Sequence, residues 1–223
     1  MTHPEEWTYH IPEGMTTMEG ALVEPAAVGM HAAVLGGAQP GKSIVILGGG
    51  TIGLMILQAC ISLGATDITV VDVIEKRLEL AKKLGAARVI NGKEEDTVAV
   101  LRSEEMYGDH GVDLVFEAAG AVFTAQQAVQ IVSRGGKIMM VGTQSKPVPI
   151  DFLKINREVT IQTSFRYCNN FPQTIEAISS GRFNVKDMVT NIYDYEDVQK
   201  AFEEAIDPVK KTEMVKGVIK VAE

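Results

Sequence analysis

The feature that most constrains the fold is a glycine-rich turn between an apolar strand and an apolar helix. Residues 43–47 read Ser-Ile-Val-Ile-Leu, which has no polar alternation and is typical of a strand covered on both faces. Gly-Gly-Gly-Thr-Ile-Gly follows at residues 48–53, and residues 52–63 predict a helix. A second buried strand at residues 68–71 closes at Asp72. Together these segments predict one βαβ unit.

The glycine spacing fits G-x-G-x-x-G and predicts a dinucleotide site. Gly48 would allow the tight turn, Gly50 would let a pyrophosphate approach the backbone, and Gly53 would let the helix pack close to the sheet. The diphosphate would then meet free N–H groups and the positive end of the helix dipole. The alternative is a glycine-rich turn that binds no ligand.

Asp72 lies 19 residues beyond Gly53, at the end of the second strand. A carboxylate there can accept hydrogen bonds from the adenosine ribose hydroxyls and would repel a 2′-phosphate, which favours NAD over NADP. Arg77 leaves three alternatives open, because it could pair with Asp72, cover the adenine or reach a 2′-phosphate. Asp72 also has a structural alternative, a helix cap for the segment that begins near Val73.

The rest of the chain predicts a doubly wound α/β fold, a Rossmann NAD-binding domain with remnants of a second, catalytic domain at both ends. Further strands are predicted at residues 88–90, 112–116, 137–141 and 159–165, and further helices at residues 75–84, 97–106 and 124–132. Outside this alternation, a helix is predicted from Pro25, and the tail reads helix 171–180, strand 188–193, helix 196–206 and strand 214–221. We therefore divide the chain into a partial catalytic segment with a linking helix (1–38), the dinucleotide domain (39–165) and a carboxyl-terminal catalytic remnant (166–223).

Charge and cysteine usage restrict the classes of partner and compartment. The net charge of −8, from 21 basic and 29 acidic residues, disfavours nucleic acid and anionic membranes as partners. Cys60 and Cys168 have no paired spacing, so the sequence predicts no disulfide framework and favours a cytoplasmic protein. Residues 43–66 are uncharged and long enough to cross a bilayer, but the interrupting glycines favour a strand, a turn and a buried helix.

Several sequence strings resemble those of the zinc-dependent medium-chain dehydrogenases, specifically the sorbitol and xylitol (polyol) dehydrogenase branch. These are GALVEP at residues 20–25, VGMHA at residues 28–32, the glycine turn with Asp72 and Arg77, and FRYCN at residues 165–169, which is the most discriminating. The similarity extends over essentially the whole chain. It implies an enzyme that oxidises a secondary alcohol of a polyol to a ketone, using NAD and one catalytic zinc.

The resemblance also implies roles for individual residues. The coenzyme residues would be Gly48, Gly50, Thr51, Ile52, Gly53, Asp72 and Arg77, with Val141, Gly142, Thr143, Ser164, Phe165 and Arg166 near the nicotinamide. Glu24 would lie beside the zinc-bound water or the substrate, and Arg166 and Tyr167 would face the substrate. The structural alternatives are an acid near a helix start for Glu24, an ion pair for Arg166 and a cover over the core edge for Tyr167. The last strand of the sheet, residues 159–165, would join a homo-oligomer.

The zinc ligands of that family, a Cys and a His-Glu pair, have no counterpart here. The histidines are His3, His10, His31 and His110, and none is followed by Glu. We therefore expect NAD but no metal ligand in this chain, which would be the coenzyme-binding portion of a polyol or secondary-alcohol dehydrogenase and would not turn over alone. Two alternatives stay open: a stand-alone NAD-binding module, and a methyltransferase-like fold in which the same acid holds a ribose.

Overall fold

Six parallel strands form the main sheet in the computed structural model of the chain, which describes residues 2–155 and 157–221. The strands are β1 (Ser43–Leu47), β2 (Asp67–Asp72), β3 (Arg88–Asn91), β4 (Val112–Glu117), β5 (Val132–Met140) and β6 (Thr160–Thr163). Their order across the sheet is β3-β2-β1-β4-β5-β6. Strands β2 and β3 lie on one side of β1, and strands β4, β5 and β6 lie on the other side. This is the strand order of a doubly wound dinucleotide fold, and it confirms the predicted Rossmann domain.

Helices connect the strands, and further helices precede and follow the six strands along the chain. They are α1 (Thr17–Gly36), α2 (Thr51–Ser62), α3 (Glu75–Lys83), α4 (Thr97–Leu101), α5 (Val122–Ile131), α6 (Phe152–Ile155), α7 (Phe171–Ser179), α8 (Val198–Ile206) and α9 (Lys210–Glu213). In the tail, β7 (Val189–Asp194) and β8 (Lys216–Lys220) pair in parallel as a separate two-stranded sheet. Short 3₁₀ turns lie at Glu5–Trp7, Lys186–Met188 and Tyr195–Asp197.

Both faces of the sheet are covered by apolar side chains. Ile44 and Ile46 belong to one hydrophobic cluster, which also contains residues of α1, α2 and α7. Val45 and Leu47 belong to a second cluster, which contains residues of α4 and α5. Because successive side chains of a strand point to opposite faces, β1 supplies both clusters alternately. This explains why its sequence is apolar without alternation.

Helix α1 begins earlier than the sequence predicted. Its first residue is Thr17 rather than Pro25, because Thr16 and Glu19 form a capping box in which the Thr16 hydroxyl accepts the Glu19 N–H and the Glu19 carboxylate accepts the Thr16 N–H at 2.8 Å. Pro25 is buried inside the helix. Glu24 is therefore an exposed residue two turns into α1, and its interpretation as an acid near a helix start was wrong.

The remaining differences concern element ends. Helix α4 stops at Leu101 rather than residue 106, because the Arg102 guanidinium donates to the carbonyl oxygens of Gly108, Gln130 and Val132 and holds the chain in a turn. Strand β5 begins five residues earlier than predicted and continues through Gly135, which has a φ of 67°. Helices α6 and α9 were not predicted. No helix in residues 2–155 and 157–221 is long and apolar enough to cross a membrane, and residues 43–66 fold mainly as β1, the glycine turn and α2.

Candidate dinucleotide site

The three motif glycines of the turn have different surroundings. Gly48 has a φ of 109°, and a Cβ atom there would lie 2.8 Å from the Ala119 backbone nitrogen. A Cβ on Gly53 would collide with the Gly48 carbonyl group, so the close packing of α2 requires glycine. A Cβ on Gly50 would meet nothing closer than an Arg77 guanidinium nitrogen at 3.9 Å. The fold thus needs glycine at residues 48 and 53, whereas Gly50 borders open space.

That open space is part of a cleft of about 370 Å³ at the carboxyl ends of β1, β2 and β4. It lies where the strand order reverses, which is where ligands bind in open α/β sheets. Gly50 is also the N-cap of α2 and has no side chain to cap the first-turn N–H groups, which favours an anion there. The cleft is lined by Gly48, Gly50, Val71, Asp72, Val73, Arg77, Gly92, Thr97, Ala118, Ala119, Ala121, Phe123, Thr124 and Gln127.

Asp72 is 8% exposed and connects the glycine turn to the start of α3. One carboxylate oxygen accepts the Gly49 N–H at 2.7 Å, and the other accepts the N–H groups of Val73 at 2.8 Å and Ile74 at 2.9 Å. The helix-cap alternative was wrong in its detail, because the N-cap of α3 is Ile74 and Asp72 instead binds the N–H groups of the turn before the helix. A carboxylate offers about four lone-pair sites, so three N–H bonds do not exhaust its capacity for a ribose hydroxyl.

Arg77 takes the first of the three arrangements left open by the sequence. Its Nη1 lies 3.6 Å from Asp72 Oδ2, and its Nη2 lies 3.5 Å from the Lys211 carbonyl oxygen. The buried Arg77 Nε and Thr97 Oγ1 atoms, both on residues of the cleft, have no hydrogen-bond partner among the residues that the structure describes. Unpartnered buried polar atoms beside an open cradle fit a bound polar ligand such as a nucleotide.

The predicted nicotinamide residues lie at the ends of β5 and β6. Val141 and Gly142 directly follow β5, and both donate their N–H groups to the Glu117 carbonyl oxygen at 2.9 Å. Ser164 is buried after β6 and donates its N–H to the Met140 carbonyl oxygen at 2.9 Å. Among the remaining predicted coenzyme residues, Phe165 and Arg166 are exposed and Ile52 is half-buried. The Thr51 hydroxyl donates to the Val215 carbonyl oxygen. The Thr143 carbonyl group lies close to Gly120, where an added Cβ atom would be 2.6 Å from its oxygen.

Glu24, Arg166 and Tyr167, the candidate catalytic residues, form one group outside the lining of the cleft. Desolvation raises the pKa of Tyr167, the nearby Glu24 carboxylate raises it further, and the charge of Arg166 acts in the opposite direction. The Tyr167 ring packs edge-on against Phe171, with 5.0 Å between centroids. Arg166 has a φ of 51°, and its guanidinium lies 5.5 Å from the centre of the Phe165 ring.

A catalytic zinc does not fit the described residues. Within residues 2–155 and 157–221, no group of three or more His, Cys, Asp or Glu side chains is placed to hold one metal ion. Zinc needs at least three protein ligands in a catalytic site.

The sequence reasoning missed several lining residues of the cleft. Gly92 and Thr97 follow β3, and Phe123 and Thr124 belong to the first turn of α5 after β4. The rule that ligands bind at the carboxyl ends of the strands would have pointed to these segments once the strand order was assumed. Glu117, at the end of β4, was also missed, because an acid that ends a buried strand carries no motif of its own.

Comparison with known proteins places the chain in one family. A family profile described as zinc-binding dehydrogenase matches residues 51–180. The Escherichia coli (strain K12) zinc-type alcohol dehydrogenase-like protein YdjJ is 62% identical over the whole chain, which covers 63% of that protein. Sorbitol dehydrogenase from Bacillus subtilis is 39% identical over 91% of the chain and 57% of its own length. The chain thus spans about three fifths of the length of these relatives.

Solved structures agree with this placement. An Escherichia coli oxidoreductase/dehydrogenase of unknown specificity superposes with a TM-score of 0.95 at 62% identity, over 99% of this chain and 62% of that one. A zinc-binding dehydrogenase from Sinorhizobium meliloti bound to NADP superposes with a TM-score of 0.88 at 25% identity, over 97% of this chain and 63% of that one. With the profile match, the sequence identity and the structural superposition, the chain belongs to the zinc-binding dehydrogenase family and contains its coenzyme-binding part.

Proposed function

We propose that this chain binds NAD as the coenzyme part of a dehydrogenase that acts on polyols or other secondary alcohols. The observation that carries the proposal is the open space beside Gly50, at an uncapped helix N-terminus and next to the Asp72 carboxylate. Gly50 would give the diphosphate access to the main-chain N–H groups, and Asp72 would bind the adenosine ribose. NAD, when bound, supplies the acceptor for the hydride of the alcohol.

The preference for NAD over NADP rests on Asp72 and Arg77. The carboxylate places negative charge in the cleft and would repel a 2′-phosphate. Arg77 lies within 3.6 Å of that carboxylate and contacts the Lys211 carbonyl oxygen, so its positive charge is already balanced. Because a related dehydrogenase was solved with NADP, the family alone does not decide the coenzyme, and these side chains support NAD.

Titration calorimetry with NAD and NADP tests this proposal on the chain as it stands. Asp72→Asn should weaken NAD binding roughly 10- to 100-fold, since a hydrogen bond to a charged group contributes about 1.5–3 kcal/mol. It should weaken NADP binding less, so the ratio of the two affinities should fall. Asp67→Asn is the matched control, because Asp67 lies at the opposite end of β2 and pairs with Arg88. Calorimetry that shows no NAD binding to the unmodified chain, or an unchanged ratio in Asp72→Asn, would refute the proposal.

The substrate class is supported by the relatives and by the group of Glu24, Arg166 and Tyr167. One relative is named sorbitol dehydrogenase and another, from Morganella morganii, is named D-xylulose reductase. We propose that Glu24, Arg166 and Tyr167 face a polyol in the complete enzyme. Because the described residues supply no zinc ligands, this chain should bind NAD without polyol-dependent NADH formation. An increase in NADH absorbance at 340 nm on addition of a polyol, in a chain that binds one zinc per molecule, would contradict that expectation.

We also propose that two copies associate through β6. This strand is the edge of the main sheet, and Ile161 within it and Phe165 just after it are exposed apolar residues, as are Phe152 and Leu153 of the preceding helix α6. Unpaired edge strands of this kind bind other strands. Light scattering should therefore show a dimer that Ile161→Lys dissociates, whereas Ile192→Lys, at an exposed residue of β7, should have no effect. A monomer at high concentration would count against the association.

A further inference from the structure

Glu117, the last residue of β4, has a carboxylate that is completely buried and accepts four hydrogen bonds. Its Oε1 accepts the N–H groups of Ala119 at 3.0 Å and Gly120 at 2.8 Å, and the Thr124 hydroxyl at 2.7 Å. Its Oε2 accepts the Gln144 side-chain amide at 2.8 Å. The first three donors belong to the turn after β4 and the start of α5, and the fourth belongs to the loop after β5. One carboxylate therefore connects two loops.

The backbone around Glu117 reinforces this connection. The Glu117 carbonyl oxygen accepts the N–H groups of Val141 and Gly142, both at 2.9 Å. Gly120 has a φ of 69°, and a Cβ atom there would lie 2.6 Å from the Thr143 carbonyl oxygen. A Cβ atom on Gly142 would collide with the Gly120 backbone. The two loops are thus in direct contact.

Gln144 shows how strongly the carboxylate orients its neighbours. Its amide nitrogen faces Glu117, whereas its buried Oε1 has no partner among residues 2–155 and 157–221. Turning the amide over would place its oxygen against the carboxylate oxygen, and the hydrogen bond would be replaced by repulsion. The charge-assisted bond to Glu117 therefore determines the orientation of this side chain.

The loops after β4 and β5, which Glu117 connects, lie on the side of the cleft opposite Asp72. Asp72 ends β2 on one side of the point where the strand order reverses, and Glu117 ends β4 on the other side. A dinucleotide with its diphosphate at Gly50 and its adenosine ribose at Asp72 extends its second half over the ends of β4 and β5. The loops that Glu117 holds together then border the nicotinamide half.

We propose that Glu117 is a positioning residue for the nicotinamide half of the bound coenzyme. It acts through the loops at Gly120 and Gly142 and is itself covered, so it does not touch the coenzyme. The inference rests on the proposed NAD site. It adds a separate expectation: loss of the carboxylate should affect one half of the dinucleotide and spare the other.

The test compares NAD with ADP-ribose, which has the adenosine, the diphosphate and the second ribose but no nicotinamide. By calorimetry, the unmodified chain should bind NAD more tightly than ADP-ribose. Glu117→Gln should weaken NAD binding by about tenfold or more and change ADP-ribose binding by no more than about twofold. The fluorescence of bound NADH, which depends on the surroundings of the nicotinamide ring, should move towards that of free NADH in the variant.

Gln144→Ala provides a second variant in case Glu117→Gln does not fold, since it removes only the donor to Oε2. It should cause a selective loss for NAD in the same direction. Gln130→Ala, at an exposed glutamine of α5, is the matched control and should change neither affinity. An equal loss for both ligands, or no loss in either variant, would overturn the role of Glu117 while leaving the NAD site intact. An unmodified chain that binds neither ligand would overturn the NAD site itself.

Discussion

Gly50 and Gly53 lie in the same turn, but a methyl group added at each would have opposite effects. At Gly50 the added Cβ would have no neighbour closer than 3.9 Å, and the backbone is extended with a φ of −71°, which alanine adopts readily. Replacing glycine at a compatible position stabilises a protein by about 0.4–1 kcal/mol, whereas alanine is the poorer N-cap by a similar amount. Gly50→Ala should therefore leave the free energy of unfolding within about 1 kcal/mol of the unmodified value.

At Gly53 the same methyl group would collide with the Gly48 carbonyl group, which is backbone and cannot turn away. Overpacking of this kind costs about 1–3 kcal/mol, so Gly53→Ala should lower the free energy of unfolding by at least about 1 kcal/mol. Gly50→Ala, by contrast, fills the space proposed for the diphosphate. Its affinity for NAD should fall by about tenfold or more, a loss of about 1.4 kcal/mol.

Urea unfolding and calorimetry on both variants separate these effects. The reasoning requires that Gly50→Ala lose affinity without losing stability and that Gly53→Ala lose stability. If Gly50→Ala binds NAD as tightly as the unmodified chain, the diphosphate does not lie against this turn. If Gly53→Ala is as stable as the unmodified chain, the close approach of α2 to the turn is not what requires glycine there.

Three further predictions concern the capping box and the cysteines. Thr16→Ala should lower the free energy of unfolding by about 1 kcal/mol in urea titrations, because α1 loses its N-cap. Burial acts to raise the pKa of Glu19, but hydrogen bonds from Thr16 and the Lys186 amino group at 3.3 Å outweigh it and lower this pKa below its ordinary value of 4.5. A carboxylate whose pKa is lower in the folded chain stabilises the fold above its unfolded pKa, and this stabilisation is lost as the pH falls through the folded pKa. Between pH 5 and pH 3 the free energy of unfolding should therefore fall less in Glu19→Gln than in the unmodified chain. Burial raises the pKa of Cys60 far above its ordinary range while Cys168 is exposed, so a thiol reagent should label one cysteine in the folded chain and both in urea; labelling of both in the folded chain would contradict this.

Much of the sheet was predictable because its sequence signals, apolar segments and a glycine turn, each lie within a few neighbouring residues. Strands β1, β2 and β4 are short, mainly apolar runs, and the glycine turn fixes how the first strand leads into α2. All six strands overlap the predicted segments and β1 has the predicted bounds, Ser43–Leu47, but β5 begins five residues earlier and β6 is shorter than predicted. The motif also placed Asp72 beside the turn, where its carboxylate accepts the Gly49 N–H.

The features that sequence reasoning missed depend on contacts between distant residues. The end of α4 is determined by Arg102, whose partners Gln130 and Val132 lie about thirty residues further along the chain. The importance of Glu117 depends on Gln144 and on the loop after β5, which approach it only once β4 and β5 are paired. The start of α1 was a different kind of error, since the capping box is local and a proline was taken as the stronger signal.

The structural and functional interpretations of Asp72 are compatible, because each uses a different part of the same carboxylate. Its bonds to Val73 and Ile74 hold the turn before α3, and its bond to Gly49 holds the glycine turn against β2. These bonds orient the remaining lone pair before any ligand arrives, so binding needs little rearrangement. The same bonds mean that a lower affinity for NAD in Asp72→Asn could arise from a distorted turn as well as from a lost ribose contact. A distorted turn would weaken NAD and NADP binding alike. Loss of the negative charge also removes the repulsion of the NADP 2′-phosphate, so NADP binding falls less than NAD binding. Only the ratio of the two affinities therefore measures the coenzyme role of Asp72.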